Sequence, residues 1–321
     1  HRIAEGFSDN FREHFLGTHF FNPPRYLRLL EIISTLDTNP ALIEFMCRFG
    51  EDCLGKRVVL CKDTPGFIAN RIGTYGACVA LQAMTEEGLT IEEVDLLTGP
   101  LLDRPKSATF RTLDVIGLDT FVHLARNLHD TLVDDAQREA FNLPPFVDFM
   151  LQSKWLGDKT GQGFYKRLSS KSGTEIQYLD FSTLEYRPLQ KTSFPELEKA
   201  CKIRNPARKL YFLVSGKGRP SRFLWKMLSS TLSYAALIAP EIANDIVSID
   251  DAMKWGFLHK WGPFETWDLF GPKNVADRLR TEGRPVPKLV EDLLGAGNKA
   301  FYKKRSGKTY FFASAQKSYL R

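Results

Sequence analysis

The sequence predicts a mainly helical protein that opens with a small α/β segment and continues into two copies of one helical domain. Three observations carry this. Strand-length apolar runs cluster in the first sixty or so residues and largely vanish after Gly66. Apolar residues at helical spacing take over from Phe67. A long helix, a cap and an Asp-x-x-Gly ending then recur in the second half.

The elements follow in order. Gly17-Thr-His-Phe-Phe21 is a short aromatic strand, stopped by Asn22-Pro23-Pro24 because proline cannot donate to a ladder. Leu27 to Ile33 is a second strand-length run. Thr38-Asn39-Pro40 offers an N-cap followed by proline at the first helical position. Leu42, Phe45, Met46 and Phe49 then form an i, i+3, i+4, i+7 stripe that Gly55 closes. Arg57 to Cys61 reads as a buried strand, and Asp63-Thr-Pro-Gly66 as punctuation.

From Phe67 to Glu87 one helix is predicted, with Gly73, Gly76, Ala77 and Ala80 on tightly packed faces. Thr90-Ile-Glu-Glu93 is a capping box. Helices follow at Leu113 to Leu128 and Pro145 to Gln152, then the glycine-bent segment Lys159 to Tyr165. Ser169 to Leu189 is polar, a short hairpin or a linker. Helical character returns near Phe194. Phe223 to Ile242 resembles Phe67 to Glu87, Ser248-Ile-Asp-Asp251 resembles the cap at Thr90, and Trp267-Asp-Leu-Phe-Gly271 resembles Leu113-Asp-Val-Ile-Gly117. The cap-to-Asp intervals, 114 − 90 = 24 and 268 − 248 = 20, imply a four-residue insertion in the first copy. Generic helical similarity is the competing explanation.

Composition narrows the function classes. Hydrophobic residues at 43% and charged residues at 26% are globular values. No apolar run approaches the ~18 residues of a membrane span. The net charge, 44 − 38 = +6, is spread along the chain, densest at Lys199 to Lys226 and Lys299 to Lys308. It reads as a solvated face or as recognition of a phosphate-bearing small molecule, with no aromatic-interleaved basic module for nucleic acid. Five cysteines without a CxxC pair suit reduced thiols in a cytoplasmic enzyme better than a disulfide framework or a metal site.

His19 and Glu31 carry the chemistry. A carboxylate inside Leu29-Leu-Glu-Ile-Ile33 is costly unless it is paired. Folding the two runs back through Asn22 to Leu27 would set residues 19 and 31 opposite each other on adjacent strands. A carboxylate there would orient the imidazole as a general base. Two other arrangements satisfy the same spacing: a core histidine, or a Glu31 on a strand edge facing water.

These residues resemble the 3-hydroxyacyl-CoA dehydrogenase family. Gly17-Thr-His-Phe-Phe-Asn-Pro-Pro24 with Leu29-Leu-Glu-Ile-Ile33 is similar to its catalytic segment. Asp63-Thr-Pro-Gly-Phe-Ile-Ala-Asn-Arg71 is similar to the junction between its domains, and Lys159-Thr-Gly-Gln-Gly-Phe-Tyr165 to the motif closing its helical domain. The resemblance implies NAD as cofactor, a 3-hydroxyacyl-CoA as substrate and fatty acid β-oxidation as the setting. It assigns His19 as base, Glu31 as its orienter, Asn70 as a substrate contact, and Asn22 and Lys159 as cofactor contacts. It implies no metal.

The departures set further expectations. There is no Gly-x-Gly-x-x-Gly after a strand, only eighteen residues precede His19, and no initiating methionine is present. Lys106-Ser-Ala-Thr-Phe110 stands where many members carry Gly-Pro-Phe, which the second copy keeps at Gly262-Pro-Phe264. The second copy has Lys226 near the position of Asn70 and no His–Glu pair. The expected fold is therefore the last strands of a Rossmann-type domain (1–63), a first all-helical domain (64–168), a linker (169–193) and a second, degenerate helical repeat (194–321). The expected function is that of a fragment of a dehydrogenase, inactive by itself. The two repeats are expected to pack as an internal pseudo-dimer, and the parent resembles multifunctional enzymes that also carry an enoyl-CoA hydratase region. The rivals are a non-catalytic helical assembly module and a dehydrogenase of other hydroxy acids.

Overall fold

The structure, a computed structural model, describes residues 2–170, 173–190 and 194–321. Helix α1 (Asp9–Glu13) leads into β1 (Leu16–Phe20), β2 (Leu29–Ser34), α2 (Pro40–Arg48) and β3 (Arg57–Cys61). Then come α3 (Ala69–Glu87), α4 (Ile91–Thr98), α5 (Phe110–Ile116), α6 (Leu118–Thr131) and α7 (Pro145–Gln152). Strands β4 (Tyr165–Ser170), β5 (Gly173–Asp180) and β6 (Glu185–Pro188) follow, and α8 (Pro195–Cys201), α9 (Pro206–Ser215) and α10 (Arg219–Ile242) after them. The chain ends with α11 (Ile246–Gly256), α12 (Pro263–Phe270), α13 (Pro272–Thr281), α14 (Lys288–Gly295), β7 (Tyr302–Arg305), β8 (Lys308–Ala313) and β9 (Ser318–Leu320). It divides into two compact units, one running to Gly73 and resuming over Leu232–Arg321, the other Thr74–Thr231.

In the first unit β1, β2 and β3 form one sheet in that order, β1 antiparallel and β3 parallel to β2. Leu29, Leu30 and Ile32 are completely buried, since α2 packs against β2 while α11 packs against β2 and β3. Burial on both faces explains an unbroken apolar run. Asn39 caps α2 by accepting from the Ala41 N–H, as its sequence predicts. The stripe on α2 is not fully covered: Phe45 and Phe49 are exposed and stack with ring centroids 6.2 Å apart. Arg71 on α3 is buried, its donors taken by the Tyr234 hydroxyl at 3.0 Å and by Glu241. Such pairing is the condition for burying a guanidinium.

In the second unit the Thr90–Glu93 capping box starts α4 as expected. The helix predicted over Leu113 to Leu128 is two helices, because Gly117 takes φ +98° and turns the chain between α5 and α6. Here too α3 runs beside α10. Glu87 accepts from Arg222, Glu86 pairs with Lys226, and a Cβ on Gly76 would sit 3.3 Å from Thr231 Oγ1.

One buried network occurs twice. In the second unit Asp95 accepts from the N–H groups of Thr109, Phe110 and Arg111 and from the Tyr165 hydroxyl, at 2.7–3.0 Å. Asp114 accepts from the N–H groups of Phe164 and Tyr165 at 2.8 and 2.9 Å. In the first unit Asp250 accepts from Phe264, Glu265 and the Tyr302 hydroxyl, and Asp268 from Phe301 and Tyr302. The cap of α11 is Asp245, accepting from the Ser248 N–H, not Ser248 itself. The interval to Asp268 is therefore 268 − 245 = 23 against 114 − 90 = 24. The expected four-residue insertion shrinks to one.

The network also explains where the fold departs from expectation. Neither half is all-helical: β4, β5 and β6 form one antiparallel sheet, and β7, β8 and β9 another. The first strand of each is anchored by amides that donate to an aspartate distant in sequence, which no local pattern announces. Lys303, Lys304 and Arg305 of β7 read as a solvated basic stretch for the same reason. The segment expected as a linker, 169–193, carries β5 and β6; its residues 171, 172 and 191–193 lie outside the described residues.

These carboxylates make stability depend on pH. Burial pushes Asp250 up to about 8, Asp95 up to about 7, and Asp114 and Asp268 up to about 6, although backbone donors pull each of them down. The folded state thus holds these protons where an unfolded carboxyl, near ~3.9, has released them. Their contribution is complete below about pH 4 and lost as pH rises through 6–8. The melting temperature is expected to fall over that window, and to fall less steeply in Asp250→Asn, which cannot titrate. Identical slopes for the two proteins would refute the assignment.

Candidate active site

Strand pairing sets His19 directly opposite Glu31. Their side chains meet at 2.6 Å, His19 Nδ1 to Glu31 Oε2. Glu31 is completely buried, and its other oxygen accepts from the N–H groups of Ala69 at 2.9 Å and Ile68 at 3.3 Å. Those amides open α3, so the carboxylate sits against the positive end of a helix. Its two oxygens are held from two elements, by the imidazole on β1 and by the amides at the start of α3.

Cys61, on β3, is a third neighbour. Burial, and then the Glu31 carboxylate beside it, push the thiol up; it stays protonated and donates to the Val59 carbonyl at 3.9 Å. The imidazole is about one-quarter exposed and flanked by Phe21 at 5.0 Å and Phe67 at 5.6 Å between ring centroids. Its Nε2 makes no hydrogen bond with a described residue. Glu31 therefore holds one ring nitrogen, and the other is left for a reacting group.

Asn70 lies on the first turn of α3, next to the amides that hold Glu31; it is half-buried and its carboxamide is bonded to no described residue. Asn22 follows β1, exposed and likewise unbonded. His19, Glu31, Asn22 and Asn70 all belong to the first unit. Lys159 belongs to the second, where its ammonium pairs with Asp119. Among the described residues no group of three His, Cys, Asp or Glu side chains could hold a metal ion, and no single helix is long and apolar enough to cross a membrane.

Sequence reasoning missed Cys61 and the two amides. A signal for each existed. Glu31 in an apolar run demands partners, Pro65-Gly66 marks a helix start, and Cys61 shares the alternation of Arg57 and Val59.

A buried carboxylate orienting an imidazole whose second nitrogen is available defines a general acid–base site, the kind found in enzymes that move a proton to or from a hydroxyl. Residues 1–64 match the family model of the 3-hydroxyacyl-CoA dehydrogenase NAD-binding domain, and residues 66–167 match that of the C-terminal domain. The chain belongs to the 3-hydroxyacyl-CoA dehydrogenase family. It is 50% identical over 310 residues to a probable 3-hydroxyacyl-CoA dehydrogenase of Bacillus subtilis, covering 97% of this chain and 39% of the relative. It is 32% identical over 268 residues to a putative fatty acid oxidation complex trifunctional enzyme of Rickettsia felis, covering 82% of this chain and 35% of the relative. The chain thus spans less than half the length of both relatives. A crystal structure of 3-hydroxybutyryl-CoA dehydrogenase from Escherichia coli shares the fold, with a TM-score of 0.62 at 20% identity over 92% of this chain and 73% of that one.

These findings correct one expectation. A chain without its cofactor domain, and inactive for that reason, is overturned by the match of residues 1–64 to the NAD-binding domain. The match stands without a Gly-x-Gly-x-x-Gly, and it spans the strand pair that carries His19 and Glu31. NAD is the cofactor of this domain. The donors fit it in part: the exposed carboxamide of Asn22, bonded to no described residue, stands just past the end of β1, the strand that carries His19.

Proposed function

We propose that the protein interconverts 3-hydroxyacyl-CoA and 3-ketoacyl-CoA in fatty acid oxidation. The observation that carries this is the His19–Glu31 contact, with Nε2 bonded to no described residue. Nε2 takes the proton from the substrate 3-hydroxyl. Glu31 keeps the remaining N–H on Nδ1 and offsets the charge of the imidazolium. Asn70 donates to the substrate oxygen from the first turn of α3, while Asn22 contacts the cofactor. Bound NAD supplies the acceptor for the hydride leaving C3. A longer multifunctional protein in the cytoplasm is its setting; unpaired thiols at all five cysteines support a reducing compartment.

The two repeats take the place of two subunits in this reading. Its support is the antiparallel pairing of α3 with α10, seen as Arg71 with Glu241 in the first unit and Glu87 with Arg222 in the second. NADH consumption with 3-ketobutyryl-CoA tests the activity. Turnover is expected there and not with simple 2-keto acids, in a preparation that sediments as one chain. No turnover of the CoA ester, or a preference for the free acids, would reject the assignment.

A further inference from the structure

The second repeat carries no counterparts of His19 and Glu31 in its sequence, yet it reaches the His19 site within the first unit. From His19 the rings run in sequence: Phe21 at 5.0 Å, Phe257 at 5.7 Å from Phe21, and His259 at 6.0 Å from Phe257. Phe257 also leans on α3. A Cβ on Gly73 would lie 2.4 Å from its Cζ, so the ring fills the space this glycine leaves, one turn beyond Asn70. Gly256 makes the matching approach on the strand side, where a Cβ would lie 2.8 Å from Leu29 Cδ2 and 3.1 Å from Phe21 Cε1. The turn after α11 is therefore seated on both elements that build the dyad, the β1–β2 pair and the start of α3.

Leu258 comes next. Its backbone takes φ +55°, and its side chain is 51% exposed instead of joining the core below. An apolar side chain held outward next to a ring that packs on Phe21 and against Gly73 offers a surface to a hydrocarbon. We propose that the turn Phe257–Leu258 of the second repeat is the acyl-selecting wall of the His19 site, with Leu258 contacting the substrate chain beyond C3. This rests on the reading of the protein as a 3-hydroxyacyl-CoA dehydrogenase. Each methylene taken out of water by that contact strengthens binding about fourfold, so a long acyl chain gains what a four-carbon chain cannot.

The test compares kcat/KM for reduction of 3-ketopalmitoyl-CoA and 3-ketobutyryl-CoA by the intact protein. In Leu258→Ser the long-to-short ratio is expected to fall about tenfold or more, mainly through KM of the long substrate. Leu258→Gln, which keeps the length of the side chain and makes its end polar, gives the same reading where the serine variant fails to fold. Leu258→Met should restore the wild-type ratio. An unchanged ratio overturns the proposal, as does an equal loss on both substrates, which would make the turn a fold element. A wild-type protein that reduces neither substrate would instead defeat the dehydrogenase reading itself.

Discussion

His19→Gln is expected to lower turnover by about a hundredfold to ten-thousandfold, the usual range for removing a positioned general base. NADH affinity should change little. Glutamine can still hydrogen-bond to Glu31, so the buried carboxylate keeps a partner and the fold is preserved. It cannot accept a proton, so the loss belongs to the chemical step. Single-turnover kinetics with a saturating 3-hydroxyacyl-CoA separate that step from binding. Turnover near the wild-type value in a correctly folded variant would remove His19 from the mechanism.

In Glu31→Gln a loss of about a hundredfold or more is expected. The substitution keeps an acceptor for the Ala69 and Ile68 amides but removes the negative charge 2.6 Å from His19 Nδ1. Without that charge nothing offsets the imidazolium formed in the transfer, so the loss falls on kcat and leaves KM for the acyl-CoA little changed. A merely structural role would lower the melting temperature and leave kcat of the folded protein in place. Glu31→Ala is the wrong experiment, since removing one partner of a buried pair costs about 3–5 kcal/mol and would confuse folding with catalysis. An unchanged kcat in a folded Glu31→Gln protein would count against the orienting role.

Placing the second repeat beside the dyad gives the duplication a physical meaning. The copy without counterparts of His19 and Glu31 keeps the carboxylates of the internal network: Asp250 and Asp268 hold the same kinds of amide as Asp95 and Asp114. A repeat that serves only as scaffold and wall needs this network for its fold and nothing of the chemistry.

How far the site could be read from sequence depended on how local its determinants are. The proline stop after Phe21 and the twelve-residue step from His19 to Glu31 allow a hairpin register that pairs the two, and of the arrangements that fit the spacing it is the one observed. The Asn39 cap and the Thr90 box are likewise contained within a few residues. The helix break at Gly117 was harder, because a lone glycine in an amphipathic stretch is tolerated as often as it ends a helix. The cap at Asp245 was misplaced because Ser248 offered an equally good local motif.

What the sequence by itself determined was therefore the family, the dyad as one of three arrangements, and the positions of most helices, since each is written in short-range spacing of proline, polar caps and apolar residues. Only the tertiary structure decided the rest. It brought the α3 amides onto the second oxygen of Glu31, tied β4 and β7 to aspartates 50 and 33 residues earlier, and set Phe257 against Gly73 from the far end of the chain. The reason is physical. A buried carboxylate states that it needs donors, and a glycine on a helix states that something comes close, but neither says which distant segment answers; that is settled when the packed core leaves one set of amides and one ring within reach.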